Sequence, residues 1–96
     1  MASNISTSLI ISTYNRSDAL ELCVKSVLRQ SLLPDEIIIA DDGSKEDTRE
    51  LIHQLAASSE VPIIHVWHED LGFRLASIRN KAIAKASKEY IIQIDG

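Results

Sequence analysis

Glu36-Ile37-Ile38-Ile39-Ala40-Asp41-Asp42-Gly43-Ser44 decides the fold. Residues 36–40 read as a short strand, apolar at consecutive positions from Ile37 to Ala40, the pattern of a strand buried on both faces rather than one alternating between core and solvent. Asp41-Asp42-Gly43-Ser44 ends it in a sharp polar loop. Ser44 with Asp47 three residues on has the spacing of a helix N-cap. A doubly buried strand that breaks into a loop and then a helix is the repeating unit of a parallel sheet.

The same unit recurs on both sides. Upstream, Leu9-Ile10-Ile11 reads as a buried strand, broken by Asn15-Arg16-Ser17. Leu20, Cys23, Val24, Val27 and Leu28 then fall on one helical stripe. Ser17 or Asp18 is placed to cap that helix, and Asp18 with Glu21 has capping-box spacing. Leu33-Pro34-Asp35 closes this segment. Downstream, Thr48, Leu51, Ile52, Leu55 and Ala56 mark a second helix. Pro62 opens a third strand over 63–67, since proline is tolerated at a strand start. Leu75, Ile78, Ala82, Ile83 and Ala86 mark a third helix, and 90–94 is a fourth strand. The order β-α-β-α-β-α-β predicts an α/β fold: a Rossmann-like three-layer α/β/α arrangement on a mostly parallel four-stranded sheet with right-handed crossovers. Residues 1–7 read as a tail and 8–96 as one folded unit. Cys23 falls in the core, His53 on the surface, and Trp67 between sheet and helix.

Composition narrows the function. The 96 residues are 45% hydrophobic and 25% charged, as in a soluble globular domain, and the net charge of −4 argues against a nucleic-acid surface. One cysteine gives no internal disulfide, and the polar start is not a signal peptide. No apolar run spans a membrane. A cytoplasmic domain is expected, with peripheral membrane association through other parts of the protein left open. Gly-x-Gly-x-x-Gly, P-loop, zinc-ligand and Gly-x-Ser-x-Gly patterns are all missing.

Ligands of open parallel sheets bind beyond the carboxyl ends of the strands. Here those ends are Ser12-Thr13-Tyr14-Asn15-Arg16, Asp41-Asp42-Gly43-Ser44, His68-Glu69-Asp70 and Asp95-Gly96. His68-Glu69-Asp70 reads as a solvated loop, because three consecutive side chains do not converge easily on one ion.

Four stretches carry a resemblance: 9–16, 39–44, Gly72-Phe73-Arg74 leading into Ile78-Arg79-Asn80-Lys81-Ala82-Ile83, and 89–96. In this order and at these element ends the chain resembles the family 2 glycosyltransferases of the GT-A fold. The resemblance implies that Ser12 and Tyr14 line the base and ribose of a nucleotide, with the Tyr14 ring stacking on uracil. The competing assignment for Tyr14 is packing on the first helix. Asp42 matches the aspartate that accepts from the base imide N–H, a task suited to an acceptor-only carboxylate. Asp41 is either a second nucleotide contact or a helix cap. Arg74 matches a basic residue facing the nucleotide, where forked donors suit a diphosphate; otherwise it is solvated in a helix's first turn. Arg79 and Asn80 read as structural or partner-facing. Asp95 matches the first acid of a D-x-D motif holding Mn²⁺ or Mg²⁺ between the two phosphates.

The implied reaction transfers a sugar from a UDP-sugar to the hydroxyl of a glycan or other acceptor, with inversion. It needs a general base that lies beyond residue 96, so this chain is expected to be inactive alone. The alternatives are a non-catalytic nucleotide-binding α/β module and an interaction role through an exposed sheet edge, the latter with homo-oligomer formation. A receiver-type module would place its acidic pair after strand one. A nucleotidyltransferase would want a Gly-rich loop there. Neither feature is present.

Overall fold

The computed structural model describes residues 6–41, 43–67, 75–88 and 90–95, without the side chains of Leu75, Ala76, Ser77, Arg79 and Asp95. The elements are β1 (Thr7–Thr13), α1 (Ser17–Leu28), β2 (Glu36–Asp41), α2 (Glu46–Ser58), β3 (Ile63–Trp67), α3 (Leu75–Lys85) and β4 (Tyr90–Asp95). All four strands are parallel, in the order β3-β2-β1-β4. The alternation read from the sequence is therefore the one that forms, and the sheet is wholly parallel.

Strand alternation sorts the core. Leu9, Ile11, Ile37 and Ile39 pack with Leu20, Val24 and Val27 of α1 and Ile52 and Leu55 of α2. Ile10, Ile38, Ala40 and Val66 pack with Ile78 and Ala82 of α3 on the opposite face. The consecutive apolar residues at 9–11 of β1 and 37–40 of β2 follow, because neighbouring positions face one helical layer or the other. Cys23 is partly buried against the first cluster, and burial pushes its thiol pKa up. His53 is exposed. The β4 edge is less covered: Tyr90, Ile91, Ile92 and Ile94 are all exposed.

Two expected caps do not form. α1 starts after Arg16 and α2 after Lys45, neither with a side-chain cap bond. Ser17 reaches instead toward Asp47 (3.4 Å), and Ser44 bonds across to the β1 loop. Tertiary partners have taken the hydroxyls. Glu46 and Asp47 put negative charge in the first turn of α2, complementing its dipole.

At the amino end of the sheet, Glu36 is buried but fully engaged. Ser8 Oγ donates to it at 2.6 Å, the Ser87 N–H at 2.9 Å and Ser87 Oγ at 3.1 Å. This clasp joins β1, β2 and the α3–β4 connection. Among the described residues no helix is long and apolar enough to cross a membrane.

Candidate functional site

The carboxyl rim is built by register. Thr13 pairs with Asp41 and Ser12 with Asp95, so the ends of β2 and β4 flank the end of β1. At the usual strand spacing, the backbones of Asp41 and Asp95 lie roughly 10 Å apart. α1 and α2 cover one sheet face and α3 the other. Strand order therefore reverses between β1 and β4, where a ligand crevice opens in such sheets.

Ser12 is buried at this rim, and Tyr14, just beyond β1, is 45% exposed. Tyr14 is thus partly open to solvent at the rim. Asn15 follows with φ 49°, a left-handed conformation that asparagine tolerates. Its N–H donates to Ser44 Oγ (2.7 Å), and its Oδ1 accepts from the Lys45 N–H (2.9 Å). These two bonds tie the loop after β1 to the loop after β2. Gly43, at φ 94°, makes the turn that lets the β2 loop fold back.

Asp41 is only 1% exposed. Its Oδ1 accepts from the Ser44 N–H (2.8 Å), and its Oδ2 lies 2.8 Å from His65 Nε2. An ionised carboxylate only accepts, so Nε2 carries the proton of that bond. Burial pushes the Asp41 carboxyl pKa up. Hydrogen bonds from His65 and from the Ser44 hydroxyl and N–H, with the electrostatic influence of the His65 ring, outweigh that and hold it below its ordinary value. The helix-cap assignment for Asp41 is not what forms: Lys45 occupies the N-cap position of α2, and Asp41 is a buried hub between β2, β3 and the rim loop.

Sequence reading left His65 without a role. The available signal was a polar residue inside the apolar strand Ile63-Ile64-His65-Val66-Trp67, which needs a partner once half-buried. Trp67 is 42% exposed, more open than a residue packed between layers. Its Nε1–H donates to the Ser44 carbonyl (3.1 Å), and the Arg49 guanidinium stands 5.9 Å from the ring centre.

Asp42, Arg74 and His68-Glu69-Asp70 lie outside the described residues, as does the side chain of Asp95. Asn80 is exposed on α3. The described part of the site therefore brings together Ser12, Tyr14, Asp41 and the backbone of Asp95. Among the described residues no group of three His, Cys, Asp or Glu side chains is arranged to hold a metal ion.

Comparison with known proteins agrees with this architecture. The profile of Glycosyl transferase family 2 matches residues 8–96. Validoxylamine A glucosyltransferase from Streptomyces hygroscopicus subsp. limoneus is 34% identical over 92% of this chain and 19% of its own length. Chondroitin synthase from Escherichia coli is 34% identical over 92% of this chain and 13% of its own. The chain thus spans less than a fifth of either relative. Glucosyl-3-phosphoglycerate synthase from Mycobacterium tuberculosis, crystallised with Mn²⁺, uridine diphosphate and glucosyl-3-phosphoglycerate, superimposes with a TM-score of 0.70. It is 20% identical, over 96% of this chain and 33% of that one, a likeness of fold. With a family match running through all four strands, the chain belongs to glycosyl transferase family 2.

Proposed function

We propose that this chain is the nucleotide-binding part of an enzyme that transfers a sugar from a nucleoside-diphosphate sugar, UDP being the nucleotide, to an acceptor hydroxyl with inversion. The observation that carries the reading is the rim itself: Ser12, Asp41 and Asp95 stand on three adjacent strand ends beside the switch point. Tyr14 is exposed beside them. In this reading Tyr14 stacks on the base, Asp42 accepts from its imide N–H, and Arg74 meets the diphosphate. Asp41 supports the loop from below.

A carboxylate at the end of β4 is a hard oxygen donor, which fits Mn²⁺ or Mg²⁺ held by few protein ligands with positions left for phosphate. Asp95 would hold it. Such a cation supplies Lewis acidity to the leaving diphosphate. In the transfer, the acceptor oxygen bonds to the anomeric carbon as the sugar–diphosphate bond breaks, and a base from elsewhere in the protein takes the acceptor proton. The chain alone is inactive in this reading. Mn²⁺, UDP and a glycosyl product in the Mycobacterium tuberculosis enzyme support it.

Titration of UDP, GDP and ADP with Mn²⁺, against this chain and the full-length protein that carries it, tests the assignment. UDP selectivity that disappears in Asp42→Ala is expected. Equal binding of all three, insensitive to Asp42, or no binding even by the full-length protein, rejects it. A second reading, self-association through β4, is favoured by the exposure of Ile92 and Ile94.

A further inference from the structure

We propose that His65 is a positioning residue for the nucleotide: by holding Asp41 it fixes the loop after β2 against the loop after β1, and so sets the placement of Tyr14. This rests on the nucleotide reading above. It adds a residue from β3, behind the rim, that the reading itself does not use.

The linkage is continuous. His65 Nε2–H donates to Asp41 Oδ2, and Asp41 Oδ1 accepts from the Ser44 N–H, both at 2.8 Å. The Ser44 hydroxyl accepts from the Asn15 N–H at 2.7 Å, and Lys45 N–H returns to Asn15 Oδ1 at 2.9 Å. Tyr14 precedes Asn15, and Asp42 lies between Asp41 and Gly43, so both proposed base contacts are adjacent to members of this chain of bonds. A carboxylate as buried as Asp41 needs donors on both oxygens. His65 supplies the named donor to Oδ2 and Ser44 the one to Oδ1. Without His65, Oδ2 loses its 2.8 Å partner, and the carboxylate must turn toward the Ser44 hydroxyl or water, or take up a proton. Turning the carboxylate also breaks its bond to the Ser44 N–H, and Ser44, which holds the Asn15 N–H, loses its anchor on β2. Charge-assisted bonds in a low-dielectric setting couple in this way.

The test compares UDP binding with Mn²⁺ by the full-length protein and by its His65→Leu, His65→Asn and His65→Gln variants. Leucine has no donor, and asparagine is too short to reach Asp41 Oδ2. Glutamine can set an amide N–H where Nε2 stands. Binding to His65→Leu and His65→Asn should weaken about tenfold, the equivalent of one charge-assisted hydrogen bond. His65→Gln should restore most of it. The loss in His65→Asn combined with Asp41→Asn should be less than the sum of the single losses, because the two share one linkage. Amide exchange should quicken at Asn15, Ser44 and Lys45 while β1 stays protected. Should His65→Leu fail to fold, His65→Asn against His65→Gln carries the comparison.

A merely structural histidine would lower the melting temperature and leave affinity unchanged well below it. That result overturns the proposal, as does a His65→Gln variant no better than His65→Asn, or losses that add. These outcomes require that the unaltered protein binds UDP. If it does not, the nucleotide reading fails first and this inference with it, a result distinct from binding that ignores His65.

Discussion

Asp41 and Gly43 stand two positions apart and do different work. Asp41 is fixed by hydrogen bonds and Gly43 by backbone geometry. At φ 94° Gly43 occupies ground that any side chain makes costly. Gly43→Ala should destabilise the protein by about 1 kcal/mol. In urea unfolding this appears as a lower midpoint at unchanged slope. An unshifted midpoint would mean that the loop relaxes to another turn, and the bonds of Ser44 to Asn15 and Asp41 would then have to be rebuilt. At this scale the sequence was legible where chemistry is local: Asp41, the turn glycine and Tyr14 could be placed at strand ends from the sequence alone. His65 was not, because its role depends on which strand lies beside β3. Asp41 pairs with it across 24 positions of chain.

Among the elements, the helices follow their apolar stripes and the strands their unbroken apolar runs. Their ends depart from expectation. Ser44 and Ser17 have the local signature of caps, but each was claimed by a partner about 30 residues away. Capping propensity is worth about 1 kcal/mol, and a tertiary hydrogen bond, part-buried for Ser44 and exposed for Ser17, is of comparable worth. Glu36 shows the same principle at the other end of β2. Its pKa is pushed up by burial, but bonds from Ser8 and from the N–H and hydroxyl of Ser87, with the charge of Lys88, bring it below the ordinary 4.5. Asp41 likewise falls below its ordinary 3.8. For a carboxyl whose folded pKa is lowered, the unfolded chain binds the proton more readily. The contribution to stability is therefore complete above the unfolded value and lost as pH falls through the folded one. Stability should hold above about pH 5 and decline below the ordinary carboxylate values. Glu36→Ala should cost about 2 kcal/mol at neutral pH by stranding the Ser8 and Ser87 donors, and should flatten part of the acid decline. Denaturant melts across pH 3 to 7 (about the range in which carboxylates titrate) measure both. An acid profile identical in Glu36→Ala would assign the decline to Asp41 or to other carboxylates.

In the whole molecule, the strand order β3-β2-β1-β4 leaves the two edges unlike. The β3 edge carries His65 and Trp67, both tied into the rim by hydrogen bonds. The β4 edge carries Tyr90-Ile91-Ile92-Gln93-Ile94, which has no charge and no proline, the usual devices that keep an edge from pairing. By register Ile92 and Ile94 lie beside Leu9 and Ile11, on the face that α1 and α2 cover over β1 and β2. That cover thins over β4, where Ile92 is 51% and Ile94 36% exposed. They border an apolar groove with Leu9, Val27, Leu32 and Leu33. Burying such a patch is favourable at roughly 25 cal/mol per Å², and free strand N–H and C=O groups add direction. The chain by itself should therefore dimerise edge to edge through β4, with a molar mass that rises with concentration in sedimentation or light scattering. Ile92→Lys sets a charge on the exposed face without touching the core of β1 and should return the chain to monomer. A monomer at all concentrations would remove the self-association reading. A dimer indifferent to Ile92→Lys would move the contact to another surface. Either result leaves the rim, at the carboxyl ends of the same strands, to be judged by nucleotide binding alone.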